Sequence, residues 1–214
     1  MVQRGETHNT RSPEGLDSSR RVCGGEPWPP YCCVPAFIAA ALRALGSPSL
    51  DRQQLAHALD TRVGPGCDNP WGLAVEANPL LRGVTVAIAK VRIPLLLQEC
   101  GSGLHFRHVP FDYVMLRLYA ELLEQAVSAG AVVGFGLNYS QYVGKSDVWR
   151  HVCRYAGTDD GEHLLLVDDS AGEGAASLRL SWPDVEVAVR DVGDGFWLIG
   201  PLTIMSVKHA PPLP

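Results

Sequence analysis

Residues 33–46 read Cys-Val-Pro-Ala-Phe-Ile-Ala-Ala-Ala-Leu-Arg-Ala-Leu-Gly, and they constrain the fold more than any other stretch. The run is almost wholly apolar, broken only by Arg43. Pro35 falls in the first turn, where its missing N–H costs nothing, and Gly46 stands just past the end, where a left-handed residue closes a helix. A helix that is apolar all round cannot rest on a surface; other elements have to pack around it. The chain is long enough to supply them. Its 214 residues correspond most simply to one domain, at about 150 residues per domain. Hydrophobic residues at 46% against 19% charged also exclude disorder of the whole chain.

The elements around this helix follow from local pattern. Residues 1–21 hold only Met1, Val2 and Leu16 as sizeable apolar side chains, too few to offset the cost of ordering, so a loose tail is expected there. The expected domain spans 22–204, with a proline-rich tail over 205–214. Cys23 to Tyr31 is stiff and turn-rich, and its Trp28 and Tyr31 imply packing on a neighbour. A short surface helix is expected over 51–60, loop over 61–83, and strands over 84–91 and 93–97. Residues 113–129 carry an apolar stripe at helical spacing, from Val114 and Met115 to Ala126 and Val127. Strands follow at 131–137, 151–156, 163–168 and 176–180, with a tight turn at Gly157–Gly161 between the middle two. A helix over 183–190, opened by Ser181 or Trp182, and a strand over 195–199 complete an α+β chain.

Charge and motif content narrow the function. Eighteen basic against 23 acidic residues leave a net charge of −5, and no aromatic residues interleave with a basic stripe, so no nucleic-acid partner is expected. No apolar run approaches the ~18 residues of a membrane helix, and the N-terminal stretch lacks the apolar core of a secretory signal. No membrane association and a cytoplasmic location are therefore the expectation, with all six cysteines reduced. No cofactor is expected. Gly134-Phe-Gly136 lacks the third glycine and following helix of a phosphate loop. Cys23, Cys32, Cys33, Cys67 and His57 show no C-x-x-C pair and no paired-histidine spacing, so no metal site is expected. His105 and His108 suit a polar strand edge or loop.

Cys33 is the first candidate for chemistry. It opens the apolar helix, where unpaired amides and the helix dipole favour an anion, and thiols so placed are activated nucleophiles. Such a nucleophile needs a base, and the base an orienting group. His151 opens one strand, and the next strand ends in Val-Asp-Asp-Ser at 167–170. In an antiparallel hairpin that end returns beside His151, which brings Asp168 or Asp169 to it. Cys32 is the alternative nucleophile. Gln98 to His105 is long enough to cover a cleft.

The order of a cysteine opening a helix, then histidine and aspartate on consecutive strands, resembles papain-like cysteine peptidases. It is most similar to the branch containing the double-glycine leader peptidase domains of bacteriocin exporters. Cys33-Val34-Pro35-Ala36 matches that branch's Cys-Gly-Pro-Ala, with Val in the Gly place. His151-Val152 and the following turn match its His-x-Val strand, and Asp169-Ser170 its Asp-Pro pair. The resemblance spans about residues 23–201. It implies a helical N-terminal half, with a central nucleophile helix packed on a C-terminal antiparallel sheet. It implies Cys33 as nucleophile, His151 as general base and Asp169 as orienting carboxylate, with Asp168 the alternative because a one-residue slip changes face. The implied activity is thiol-dependent hydrolysis of a peptide or amide substrate through an acyl-enzyme. Acyl transfer by the same triad, or a binding module that has lost catalysis, are the alternatives. The family's oxyanion glutamine, six residues before the nucleophile, is replaced by Pro27; the Cys33 amide and Gln53 are the candidate substitutes.

Overall fold

The computed structural model describes residues 27–111, 116–139, 150–160, 162–172, 177–190 and 195–207. The expected tail over 1–21, the segment 144–149 and residues 208–214 lie outside the described residues.

Helix α1 (Cys33–Ala44) forms where the sequence pattern places it, with Val34, Ala36, Phe37, Ile38, Ala41 and Leu42 buried. Gly46 at φ 69° ends it, and Ser47 N donates back to Leu42 O. Helix α2 (Arg52–Ala58) is capped by Asp51, whose carboxylate accepts from Gln54 N. The following stretch is mostly irregular, with only two two-residue strands, β1 (Arg62–Val63) and β2 (Ala74–Val75).

The strands expected over 84–91 and 93–97 are instead one helix, α3 (Val86–Glu99). The branched residues Val84, Val86, Ile88, Val91 and Ile93 favour strand locally. The buried positions, however, are Ala89, Ile93, Leu96 and Leu97, a helical stripe that faces α1 and the sheet, and tertiary packing decides. Thr85 Oγ1 caps the helix by accepting from Ile88 N. Residues 98–105, expected as a cover, form the end of α3 and a tight turn into the next strand. There Cys100 Sγ donates to Leu96 O and Ser102 Oγ to Leu97 O.

The remaining elements are β3 (His105–Val109), α4 (Leu116–Ser128), β4 (Val132–Asn138), β5 (Arg150–Asp159), β6 (His163–Val167), β7 (Ser177–Ser181), α5 (Trp182–Arg190) and β8 (Gly195–Gly200). Strands β3 to β8 make one antiparallel sheet in the order β3-β8-β4-β5-β6-β7. His105 and His108 lie on its edge strand β3. Ser181 and Asp184 cap α5 reciprocally: Ser181 N donates to Asp184 Oδ2 and Asp184 N to Ser181 Oγ.

The architecture is α+β, with helices on both faces of the sheet. One core joins α1, α2 and α3 to Phe106, Val152, Trp197 and Ile199. The other joins α4 and α5 to Phe135, Leu137, Cys153, Leu166, Phe196 and Leu198. Strand β8 shows the division most plainly, its alternate residues Phe196/Leu198 and Trp197/Ile199 feeding opposite cores. Each fully buried side chain of this size stabilises by about 1.5–3 kcal/mol. Gly134 explains how α1 lies so close to β4. A Cβ there would stand 2.9 Å from Val152 Cγ1 and 3.0 Å from the Phe37 ring, so only glycine fits.

Candidate active site

The first turn of α1, the start of β5 and the end of β6 converge at one end of the sheet. Cys33 is partly exposed there, as the first residue of α1. Cys32 precedes it as N-cap without any side-chain cap, and Ala36 N is the donor that closes the helix ladder onto Cys32 O. The amides of Cys33 and Val34 therefore belong to the group that an α-helix leaves unpaired at its start.

The two adjacent cysteines are sorted by burial. Cys32 is 1% exposed, packed with Ala56, Val63 and Leu73. Burial, reinforced by the neighbouring charge of Cys33 and only partly opposed by Arg52, pushes its pKa up to about 12. That thiol stays protonated and enclosed. Cys153, buried behind the site, is likewise pushed far up, first by burial and then by the charges of Asp168, Cys33 and Asp169.

His151 is only 4% exposed. Its Nε2 lies 2.9 Å from Asp168 Oδ1, and its side chain is also hydrogen-bonded to Cys33. Nε2 is the nitrogen turned to the carboxylate. Burial alone lowers the imidazole's affinity for a proton. The charge of Cys33 and the hydrogen bonds to Asp168 and Cys33 outweigh it and hold the pKa up to about 10. The same contacts act on Asp168. Burial raises its pKa, but His151, helped by Ser170, overcomes that and holds the carboxyl below its ordinary value. Ser170 donates to Asp168 Oδ1 from its amide at 2.9 Å and its hydroxyl at 2.6 Å. Tyr139 stacks its ring on the imidazole with centroids 4.4 Å apart and planes at 21°.

Asp169, the expected orienting carboxylate, is elsewhere. It is held by Arg154, whose Nε donates to both carboxylate oxygens at 3.1 and 2.9 Å and whose Nη2 donates to Oδ1 at 2.9 Å. The reason is a bulge in β5. Between Gly157 and Tyr155 the pairing with β6 shifts from Gly157↔Leu165 to Tyr155↔Leu166 and Arg154↔Val167. Continued without the shift, Asp169 would stand opposite Cys153, on the His151 face. With it, Asp168 takes that place and Asp169 joins the face of Arg154 and Val152. Gly157, at φ 136°, supplies the backbone freedom at the bulge. The turn expected at 157–161 is correspondingly later, since β5 continues to Asp159.

The segment ahead of Cys33 is tied to the same corner: Trp28 N donates to Ser170 O at 2.9 Å. Pro27 offers only its carbonyl, which accepts from Arg52 Nη2. Gln53, the suggested substitute, donates to Trp71 O at 3.4 Å. Arg52 itself sits 4.5 Å over the Trp28 ring.

The structure brings Cys33, His151 and Asp168 together and holds Asp169 on Arg154. Tyr139, Ser170 and Arg154 were missed. Arg154 and the choice of aspartate were accessible only through strand register, and Tyr139 through the pairing of Leu137 with His151. No protein-family model matches the chain, and no curated protein sequence matches it.

Proposed function

We propose that the chain is a thiol-dependent acyl enzyme of papain-like organisation, acting on a peptide or amide bond through Cys33, His151 and Asp168. The observation that carries this reading is the continuous contact from a helix-opening cysteine, through a buried imidazole, to a buried carboxylate. Burial disfavours the charged imidazole, but Cys33 and Asp168 outweigh it, so His151 takes the proton of Cys33. The sulfur attacks the substrate carbonyl, and the oxyanion forms at the start of α1, where the Cys33 and Val34 amides point. His151 then gives its proton to the leaving amine, and a thioester to Cys33 remains. Water, deprotonated by His151, cleaves the thioester and restores the acid and thiol; an amine in its place completes acyl transfer. Asp168 keeps Nε2 engaged and stabilises the imidazolium throughout.

No helix among the described residues is long and apolar enough to cross a membrane. A cytoplasmic setting, which keeps Cys33 reduced, belongs to this reading.

The test is alkylation by iodoacetamide at neutral pH, followed by mass spectrometry at every cysteine. Cys33 is expected to react fastest, and His151→Ala to slow it by about tenfold or more, because an ordinary thiol is only a few per cent thiolate at pH 7. A chain in which no cysteine outruns the others overturns the reading. Product analysis of a cleaved peptide library with and without added amine then separates hydrolysis from acyl transfer.

A further inference from the structure

Asp168 and Asp169 are neighbours with the same chemistry, and both are buried, at 6% and 8% exposure. A one-residue change in pairing exchanges the faces on which they stand. The bulge sets the pairing of β6, but the last paired residue is Val167, so beyond it register is a weaker selector between the two aspartates. Arg154 supplies a stronger one. Its guanidinium takes Asp169 as a fork, on the face that turns toward α1, with side-chain exposures of 9% and 4% for the pair. Arg154 lies on β5, three residues from His151. The same strand therefore presents one cation to each aspartate, on opposite faces.

We propose that Arg154 is a positioning residue that sorts the two carboxylates: by holding Asp169 in a forked ion pair, it leaves Asp168 as the partner of His151. This rests on the reading of Cys33, His151 and Asp168 as a triad. Once Arg154 is removed, the carboxylate of Asp169 is buried without its cation, a costly state. The nearest relief is the imidazolium one strand face away, which it reaches by shifting the end of β6. That shift draws Asp168 off Nε2 and breaks its bonds from Ser170. A lysine substitutes only in part, because a single ammonium holds a carboxylate without fixing its plane.

Two readouts test this on the full chain: the iodoacetamide rate at Cys33, and the NMR titration of the His151 imidazole. Arg154→Met is expected to slow labelling by about tenfold or more, as His151 loses the carboxylate that helps it draw the proton from Cys33. The His151 midpoint is expected to fall with it. Adding Asp169→Asn to Arg154→Met removes the competing carboxylate and is expected to restore both. A double variant that folds, by near-UV circular dichroism, yet labels as slowly as Arg154→Met overturns the proposal. Should Arg154→Met fail to fold, Arg154→Lys carries the test, with labelling expected below the native rate; labelling at the native rate overturns it. Asp168→Ala distinguishes the two levels of inference. Native labelling in that variant overturns the triad and this proposal together. Slow labelling there with native labelling in Arg154→Met overturns this proposal alone.

Discussion

His151 Nε2 and Asp168 Oδ1 stand 2.9 Å apart, both on side chains less than a tenth exposed. In that setting the imidazole keeps its orientation and its charge by contact with the carboxylate rather than with water. Replacing Asp168 by Asn leaves the shape but removes the anion. The expected result is a fall in the His151 titration midpoint from about 10 and, on any peptide substrate found, a loss of kcat well short of the ~10,000-fold that the same change causes in a Ser-His-Asp triad, because papain-like triads work with Asn in that place. Proton NMR of the imidazole and steady-state rates measure the two effects.

Cys32 and Cys33 are expected to behave as opposites. Cys33→Ala abolishes both rapid alkylation and turnover. Cys32→Ala keeps them, because that thiol is enclosed with Ala56, Val63 and Leu73 and held protonated to about pH 12. The cost of Cys32→Ala is expected to be about 1 kcal/mol of stability, measured as a shift in urea midpoint. Fast labelling that disappears in Cys32→Ala moves the nucleophile by one residue.

Gly134→Ala probes the packing of the nucleophile helix. The added methyl meets Val152 Cγ1 at 2.9 Å and the Phe37 ring at 3.0 Å, so α1 must lift from β4. Overpacking of this kind costs about 1–3 kcal/mol. Phe37 is one turn below Cys33 on α1, so the sulfur moves relative to His151. A lower Tm together with slower Cys33 labelling is expected; slower labelling without any loss of Tm contradicts the packing argument.

Stability should fall at both ends of the pH scale, for different reasons. The folded pKa of Asp168 lies below its ordinary value. Its contribution is therefore present above the unfolded pKa, about 4, and is lost as pH falls through the folded one. His151 goes the other way, raised from 6.5 to about 10. Its contribution is complete below 6.5 and disappears as pH rises through the folded value. Urea midpoints across pH should lose the acid limb's slope in Asp168→Asn and the alkaline limb's slope in His151→Ala.

Local sequence determined those features that depend on a residue's immediate neighbours. An apolar run with Pro35 near its start and Gly46 past its end is a buried helix in almost any context, and Cys33 is carried at its mouth as a consequence. His151 at a strand start and two aspartates at the end of the next strand follow from hairpin topology alone. Tertiary structure decided the rest. Helix α3 is rich in branched residues that favour a strand, and only its packing through Ala89, Ile93, Leu96 and Leu97 overrides them. The choice of Asp168 over Asp169 depends on a single-residue bulge near Gly157. A side chain's face is a parity, and one inserted residue reverses it for everything beyond, while leaving the composition of the strand unchanged. Tyr139 on the imidazole and Arg154 on Asp169 exist for the same reason: both are set by which residues stand opposite across the sheet, a relation between segments distant in the chain.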